Sequence, residues 1–192
     1  MEKYNFILAS NSPRRKELLG HIVPSFIQKT KEVDEIYPDT LAVKEVAAYL
    51  AKLKADAFTE DLKENDVVIT SDTTVVLENQ IYGKPKDRKD AIEILQKLSG
   101  KQHEVITGVC LKSATKELVF SCSTKVYFKE LKQEEIEYYI DTYKPYDKAG
   151  AYAIQEWIGF IGIEKIDGDY NNIVGLPVQK LATQLALFCN FL

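Results

Sequence analysis

The stretch ILASNSPRRKELL, residues 7–19, predicts the strand, loop and helix with which an α/β fold begins. Its first three residues are apolar and predict the end of a buried strand. Ser12 is a favoured N-cap residue and Pro13 a favoured first helical residue, so a helix is expected from Pro13 onward. The small polar residues between the strand and the helix predict a short connecting loop.

The first turn of this helix has an unusual charge. A helix start carries partial positive charge and favours acidic side chains, but this turn holds the three cations Arg14, Arg15 and Lys16. The simplest physical reason is a bound anion, because free helix amides and two arginines with paired donors suit phosphate oxygens. Both arginines are then expected on an exposed helix start. Ordinary basic residues on a solvated helix remain the alternative.

The bulk composition limits what that anion is. The 192 residues are 45% hydrophobic and 28% charged, as in an ordinary globular domain, and the net charge is −4. This acidic balance argues against nucleic acid as a partner, and a single basic motif is a poor DNA minor-groove arm. Three widely spaced cysteines predict reduced intracellular thiols, and no apolar window is long enough for a membrane span. A small, strongly charged ligand is therefore expected.

Hydrophobic periodicity along the chain predicts alternating strands and helices with several hairpins, one of which turns near Glu78 and Asn79. This interleaving predicts an α/β protein with a mixed β-sheet and flanking helices. The predicted strands lie at 4–9, 24–29, 66–72, 74–84, 103–112, 117–129, 160–166 and 169–174. The predicted helices lie at 13–19, 41–58, 86–101 and 132–143, with a last one after Pro177.

Two groups of acidic residues are candidates for chemistry. Asp72 is the last residue of a predicted buried strand, at the carboxyl end where open α/β sheets place ligand sites. It can bind Mg²⁺, orient a water molecule or accept its proton, although an Asp that caps the next turn is the alternative. Glu32, Asp34 and Glu35 are hard oxygen ligands suited to Mg²⁺ or Mn²⁺, unless this run is a solvated loop. Together with the cations, these carboxylates predict a metal-dependent enzyme acting on a phosphate ester or anhydride.

Lys52 and Lys84 are further candidates for neutralising phosphate charge, although lysines on helices and turns are usually exposed to solvent. The sequence lacks the P-loop motif, the glycine-rich dinucleotide-binding motif and the nucleophile elbow of α/β-hydrolases. Those three enzyme classes are therefore excluded.

Seven blocks of the sequence follow one another in the order of a known family: LASNSPRRKELL, EVDE, SDTTV, GKP, ITGV, KAGAYAIQ and GDYNNIVGLP. Over essentially its whole length the chain resembles the Maf-like nucleoside triphosphate pyrophosphatases. The block AGAYAIQ is similar to the branch that acts on dTTP and UTP. Several blocks in register are more specific than any single one, so residues 1–192 are expected to form one Maf-like domain.

The resemblance implies an elongated, two-lobed α/β fold with a central cleft. It also implies hydrolysis of a nucleoside triphosphate to the monophosphate and pyrophosphate, with a divalent cation, Mg²⁺ or Mn²⁺, as cofactor. A cytoplasmic location and a homodimer are further expectations of the family. The biological purpose would be removal of canonical or modified pyrimidine nucleotides before polymerases use them, with an influence on cell division.

The resemblance also assigns roles to residues. Asp72 corresponds to the proposed proton acceptor, and Arg14, Thr73 and Gln155 correspond to the determinants of specificity. Glu156 departs from the family, since many relatives have glycine there, so the loop beside the base pocket is expected to differ.

From the residues and the resemblance together, we expect Glu35 and Asp72 to hold or approach the metal ion. The triphosphate is expected to contact Ser10, Ser12, Arg14, Arg15, Lys52 and Lys84. The alternative is a regulatory protein that senses nucleotides and acts on cell division without turnover, which needs the phosphate site but not Asp72.

Overall fold

A computed structural model describes residues 3–190 of the chain. Within that range the strands are β1 (Asn5–Leu8), β2 (Ile27–Gln28), β3 (Asp66–Leu77), β4 (Gln80–Tyr82), β5 (Gln102–Lys112), β6 (Glu117–Phe128) and β7 (Ile163–Asp167). The helices are α1 (Pro13–Gly20), α2 (Val46–Asp56), α3 (Arg88–Leu98), α4 (Gln133–Tyr143), α5 (Trp157–Gly162), α6 (Tyr170–Val174) and α7 (Val178–Phe188).

The strands form one sheet with the order β2-β1-β3-β5-β6-β7, and β4 pairs with β3. β1 is parallel to β2 and to β3, whereas β4 is antiparallel to β3 and β7 is antiparallel to β6. Parallel pairing needs crossover connections, which here contain α1 and α2. The predicted α/β fold class with a mixed sheet and flanking helices is confirmed.

The chain divides into two compact units, each built from separate segments. Unit 1 comprises Met1–Asp72, Thr107–Cys122 and Gly175–Leu192, and unit 2 comprises Thr73–Ile106 and Ser123–Val174. Each unit has its own apolar core. The core of unit 1 includes Leu8, Leu19, Ile69, Leu111 and Leu181. The core of unit 2 includes Leu95, Leu98, Ile136, Tyr139 and Ile158.

Two local predictions near the ends of strands are confirmed. α1 begins at Pro13, and the Ser12 hydroxyl caps it by accepting a hydrogen bond from the Arg15 amide at 3.4 Å. β3 turns into β4 at Glu78 and Asn79, whose φ angles are 51° and 64°. Positive φ at both central residues is the geometry of a type I′ hairpin turn, which asparagine tolerates well.

The predicted strand over 169–174 is wrong, because this segment contains helix α6. The Asp169 carboxylate accepts a hydrogen bond from the Asn171 amide at 2.8 Å, which closes a turn that leads into the helix. The Asn172 side chain is buried and donates to the Val105 carbonyl at 2.9 Å. These side-chain hydrogen bonds favour the helical turn over a strand.

Other boundaries also differ from the prediction. The strand predicted over 66–72 continues to Leu77 as β3, so Asp72 lies within this strand and not at its carboxyl end. Residues 160–162 end α5, and β7 begins only at Ile163. The strand predicted over 24–29 is reduced to the two residues of β2, which pair with Ile7 and Leu8. The helix predicted over 41–58 begins as a 3₁₀ turn, Val43–Glu45, and becomes α2 at Val46.

In unit 1, β5 and α2 approach each other at Gly108. A Cβ atom at Gly108 would lie 2.3 Å from the carbonyl carbon and oxygen of Ala47 and from the amide nitrogen of Ala48. Since those atoms are backbone, no side-chain rotation could relieve the overlap. Glycine is therefore required where α2 lies on β5.

Among residues 3–190, no helix is both long enough and apolar enough to cross a lipid bilayer.

Candidate active site

Two acidic side chains of unit 1 converge on one lysine. The Lys54 ammonium, in the last turn of α2, lies 2.5 Å from Asp72 Oδ1 and 3.0 Å from Glu35 Oε1. The side chains of Lys54 and Asp72 are 19% and 15% exposed, whereas that of Glu35 is 53% exposed. We call Glu35, Lys54 and Asp72 the Lys54 cluster. It brings together the two carboxylates that the sequence predicts as metal ligands.

A buried hydrogen bond between α2 and β3 positions this cluster. The Thr70 hydroxyl, which is fully buried, donates to the Ala51 carbonyl at 2.6 Å. Thr70 precedes Asp72 by two residues, and Ala51 precedes Lys54 by three residues, which is close to one helical turn. The contact therefore fixes the helix end that carries Lys54 against the strand that carries Asp72.

The loop before α1 is held by hydrogen bonds at Ser10. The Ser10 hydroxyl accepts from the Ser12 amide at 3.2 Å and lies 3.5 Å from Arg15 Nη1. Its carbonyl accepts from Gln28 Nε2, on β2, at 2.6 Å. These contacts fix the loop at the N-terminus of α1, where the helix dipole favours a phosphate. Gln28 was missed by the sequence interpretation, and no motif marks it.

The expectation that Arg15 lies exposed on the helix start is wrong. Its Nη1 donates to the Ser71 carbonyl at 2.9 Å and its Nε donates to the Gly175 carbonyl at 2.9 Å. Burial lowers the pKa of the Arg15 guanidinium, and the negative charge of Asp72 opposes that shift. Arg15 thus links α1 to the residue before Asp72 and to the residue after α6.

Substitution of Arg15 by alanine is expected to lower the stability of the protein. The Ser71 and Gly175 residues are buried, so their carbonyls would lose partners, at about 1–3 kcal/mol for each unsatisfied group. The matched control is Lys16→Ala, because Lys16 is exposed and lies in the same helical turn. Urea denaturation should place Lys16→Ala within about 0.5 kcal/mol of the parent protein. Equal midpoints for the two variants would contradict the linking role of Arg15.

Two hydroxyls beside Asp72 have no hydrogen-bond partner among the described residues. Ser71 Oγ and Thr74 Oγ1 are both buried in β3. Buried polar atoms are nearly always paired, so each of these two hydroxyls has unused capacity to bind a ligand. Successive side chains of a strand point to opposite faces, so Ser71 does not share the face of Asp72. Sequence reasoning selected Thr73, which is half-buried, and passed over Ser71.

Lys52 does not join the Lys54 cluster. It lies 3.0 Å from Asp56 Oδ2 and 2.9 Å from Glu117 Oε1, and Lys112 contacts the same two acids. Residues 52 and 54 are two positions apart in α2, and side chains at that spacing point in different directions. The structure therefore brings Lys54, which the sequence interpretation missed, to Asp72, and gives Lys52 other partners.

Arg14 lies half-buried in the first turn of α1, in unit 1, and the remaining predicted site residues lie in unit 2. Thr73 follows Asp72 in β3, Lys84 is exposed in the segment after β4, and Gln155 precedes α5. The Gln155 side chain has its Oε1 atom buried without a hydrogen-bond partner among residues 3–190. A buried amide oxygen with this unused capacity is suited to accept a hydrogen bond from a ligand.

The Lys54 cluster fits a magnesium or manganese ion. Within the described part of the chain, no group of three or more His, Cys, Asp or Glu side chains is placed to hold a metal ion. Mg²⁺ is nevertheless often bound by one or two carboxylates together with substrate phosphates. Glu35 and Asp72 supply two carboxylates of the donor type that such a site needs, and in this structure both contact the Lys54 ammonium.

Comparison with known proteins identifies the sequence family. The model of the family described as "Maf-like protein" matches residues 5–188. A protein of Flavobacterium psychrophilum named dTTP/UTP pyrophosphatase is 52% identical over 180 residues, covering 94% of this chain and 92% of its own. A protein of Phocaeicola vulgatus with the same name is 52% identical over 186 residues, covering 96% of each chain.

Among solved structures, the Staphylococcus aureus Ham1 protein matches with a TM-score of 0.49 and 18% identity. The match covers 65% of this chain and 71% of that one.

Proposed function

The chain belongs to the Maf-like protein family, and from that premise we propose that it is a pyrophosphatase that hydrolyses dTTP and UTP. The products are the nucleoside monophosphate and pyrophosphate. The observation that carries the proposal is the Lys54 cluster, because two carboxylates, those of Glu35 and Asp72, converge there on one cation. Relatives about 50% identical over nearly the whole chain carry the name of this activity.

The phosphate chain of the nucleotide binds at the start of α1. The Ser12 cap and the hydrogen bonds of Ser10 fix the loop before α1. The backbone amides of the first helical turn lie at the positive end of the helix dipole, which favours phosphate oxygens. Arg14 adds charge in the same helical turn and is assigned to the triphosphate. Arg15 also supports the site structurally, since its guanidinium donates hydrogen bonds to the backbone carbonyls of Ser71 and Gly175. Lys84 and Lys52 are assigned as further sources of positive charge.

The chemistry is proton transfer from water beside the triphosphate. Asp72 accepts the proton of the attacking water. The water oxygen forms a bond to phosphorus as the bond between that phosphorus and the α,β-bridging oxygen breaks. Lys54 holds the Asp72 carboxylate in place through its ammonium group. Glu35 and Asp72 would hold Mg²⁺ or Mn²⁺, which when bound neutralises phosphate charge. The Glu35 side chain is more exposed than that of Asp72, which suits Glu35 to contact an ion that arrives with the nucleotide.

The test of this function is release of pyrophosphate from UTP and dTTP in the presence of Mg²⁺ or Mn²⁺. We expect turnover with either nucleotide, and loss of turnover after removal of the metal with a chelator. A protein that binds UTP with full affinity but releases no pyrophosphate would instead favour the nucleotide-sensing regulator. Restoration of turnover by added metal controls for irreversible damage by the chelator.

Gln155 is proposed to recognise the pyrimidine base. Its buried Oε1 can accept a hydrogen bond from the N3–H group of uracil or thymine, whereas N3 of cytosine is itself an acceptor. Gln155→Ala is therefore expected to reduce the UTP-to-CTP ratio of kcat/KM by about tenfold, since a mispaired buried group costs about 1–3 kcal/mol. An unaltered ratio would mean that Gln155 only packs within its loop. Thr73 is proposed as a second contact to the nucleotide.

The wider setting of the enzyme follows from its substrates. Nucleoside triphosphates are cytoplasmic metabolites, so we assign the enzyme to the cytoplasm and to control of the pyrimidine nucleotide pool. β3, β5 and β6 each contain residues of both units, which supports one functional domain over residues 1–192. A homodimer is proposed on the family resemblance and is tested by sedimentation velocity.

A further inference from the structure

The turn from Ala153 to Glu156 is closed on itself and carries Gln155 at its third position. The Glu156 amide donates to the Ala153 carbonyl at 3.1 Å. Gln155 Oε1 is buried there without a hydrogen-bond partner in the described chain. A side chain with two rotatable bonds before its amide would normally turn to find a partner or water, so something holds this turn in place.

Glu156 contacts two side chains outside the turn. One of its carboxylate oxygens accepts a hydrogen bond from the Tyr139 hydroxyl, and the other lies 3.3 Å from the Lys148 ammonium. Tyr139 is fully buried in α4, and the Lys148 side chain is 9% exposed. Hydrogen bonds to a charged group in so protected a place are stronger than those at the surface. Glu156 is thus bound to the core of unit 2 and to a buried cation.

The Tyr139 hydroxyl also contacts the other end of the turn. It accepts a hydrogen bond from the Ala153 amide at 3.2 Å. One phenol group therefore accepts from the first residue of the turn and donates to the carboxylate of the last residue. The pKa of Tyr139 is raised by burial and by the negative charge of Glu156, which keeps the hydroxyl protonated and able to donate.

The segments on either side of the turn are also fixed. The Tyr152 hydroxyl lies 2.7 Å from His103 Nε2, and both residues are buried. After the turn, the Gly159 amide donates to the Glu156 carbonyl at 2.8 Å and begins α5. A Cβ atom at Gly159 would lie 1.9 Å from the Ile154 carbonyl oxygen, so the first turn of α5 rests directly on this loop.

We propose that Glu156 is a positioning residue for base selection: through the Tyr139 hydroxyl it holds the turn in which Gln155 presents its buried oxygen to the base. This inference rests on the proposed function, and it assigns Glu156 no contact with the nucleotide. The acceptor oxygen is available for an N3–H donor only while the turn keeps its shape. Loss of Glu156 therefore lets the Gln155 amide rotate, and the enzyme loses preference for uracil over cytosine rather than losing chemistry.

The experiment compares Glu156→Ala, Glu156→Gln and Tyr139→Phe by steady-state kinetics with UTP and CTP. Glu156→Ala is expected to lower the UTP-to-CTP ratio of kcat/KM by about tenfold, mainly through a higher KM for UTP. Tyr139→Phe keeps the buried ring and removes only the hydroxyl, so the same loss is expected. Glu156→Gln retains an acceptor for the Tyr139 hydroxyl and should keep the ratio within about threefold of the parent.

The matched control is Glu164→Ala, because Glu164 is an exposed acid on β7 of the same unit. The UTP-to-CTP ratio of kcat/KM for Glu164→Ala should equal that of the parent protein. If Glu156→Ala and Tyr139→Phe lower the melting temperature but leave the ratio unaltered, Glu156 only stabilises the fold and the inference is overturned. If Glu156→Gln lowers the UTP-to-CTP ratio of kcat/KM as much as Glu156→Ala does, the proposed action of Glu156 through its hydrogen bond with the Tyr139 hydroxyl is overturned.

Failure of the inference is distinguishable from failure of the proposed function. A parent protein without pyrophosphate release from UTP refutes the function itself. An active parent whose Tyr139→Phe variant folds and keeps the full preference refutes only the role of Glu156. Since Tyr139→Phe removes one oxygen from a packed ring, it provides this answer even if Glu156→Ala fails to fold.

Discussion

Substitution of Asp72 by asparagine is expected to lower the turnover of UTP by at least about two orders of magnitude. Asparagine keeps the size of the side chain and one oxygen, but it can neither accept the proton of water nor offer a metal ion full negative charge. A positioned general base contributes about 10²–10⁴-fold to rate, and loss of a metal contact adds to that effect. Because the Lys54 ammonium still has Glu35 as a partner, the cluster does not lose all its negative charge.

Three measurements separate loss of chemistry from loss of structure or binding. The melting temperature should change little, because Asp72 is a partly exposed residue and its partner Lys54 remains paired. The affinity for UTP should fall far less than kcat, since the start of α1 is untouched. Asp39→Asn is the matched control, because Asp39 is an exposed acid of the same unit with no assigned role in the site. A near-native rate for Asp72→Asn would move the search for the base to Glu32, Asp34 and Glu35.

Substitution of Gly108 by alanine is expected to destabilise the protein by about 3 kcal/mol or more. The new methyl group would lie 2.3 Å from backbone atoms of Ala47 and Ala48, so α2 must move away from β5. Overpacking usually costs about 1–3 kcal/mol, and a backbone obstacle falls at the upper end of that range. Since α2 also carries Lys54, the variant that still folds should turn over UTP more slowly than the parent.

The control for this prediction is Gly20→Ala. Gly20 is the last residue of α1, and a Cβ atom there would meet nothing within 4 Å. Alanine at such a position changes stability by less than about 1 kcal/mol and is favoured within helices. Urea denaturation of both variants gives the comparison. Equal urea midpoints for Gly108→Ala and Gly20→Ala would contradict this prediction, because they would show that α2 moves away from β5 without loss of stability.

Features set by neighbouring residues could be predicted from the sequence. Ser12 and Pro13 mark the start of α1 because a cap and a fixed φ act within one helical turn. Glu78 and Asn79 mark a hairpin because the turn geometry depends on those two residues. Segments rich in apolar and β-branched residues likewise predict long strands, and β5 and β6 have the expected bounds to within one residue.

Features set by distant contacts could not be predicted. Helical spacing places Lys52 and Lys54 on the same element, but only the packing of α2 on β3 determines that Lys54 contacts Asp72. The sequence predicts Arg15 as one of three exposed cations, because the carbonyl groups that it contacts lie 56 and 160 residues away along the chain. Segment 169–174 is predicted as a strand, and the hydrogen bonds of Asn172 to residues of β5 and β6, which are distant in the sequence, favour a helix there.

The discontinuous composition of each unit constrains any attempt to divide the protein. Unit 1 draws on three separate stretches of chain and unit 2 on two, so the polypeptide passes from one to the other four times. A fragment ending at Asp72 would lack the β5 residues that pack with α2, including Gly108. Long stretches of chain must be brought together before the contacts of unit 1 can form, and this slows folding. Unit 1 also needs the segment from Gly175 onward, so a ribosome must release most of the chain before the unit can be completed. Truncation from either end should therefore yield aggregated or protease-sensitive material rather than a smaller folded module.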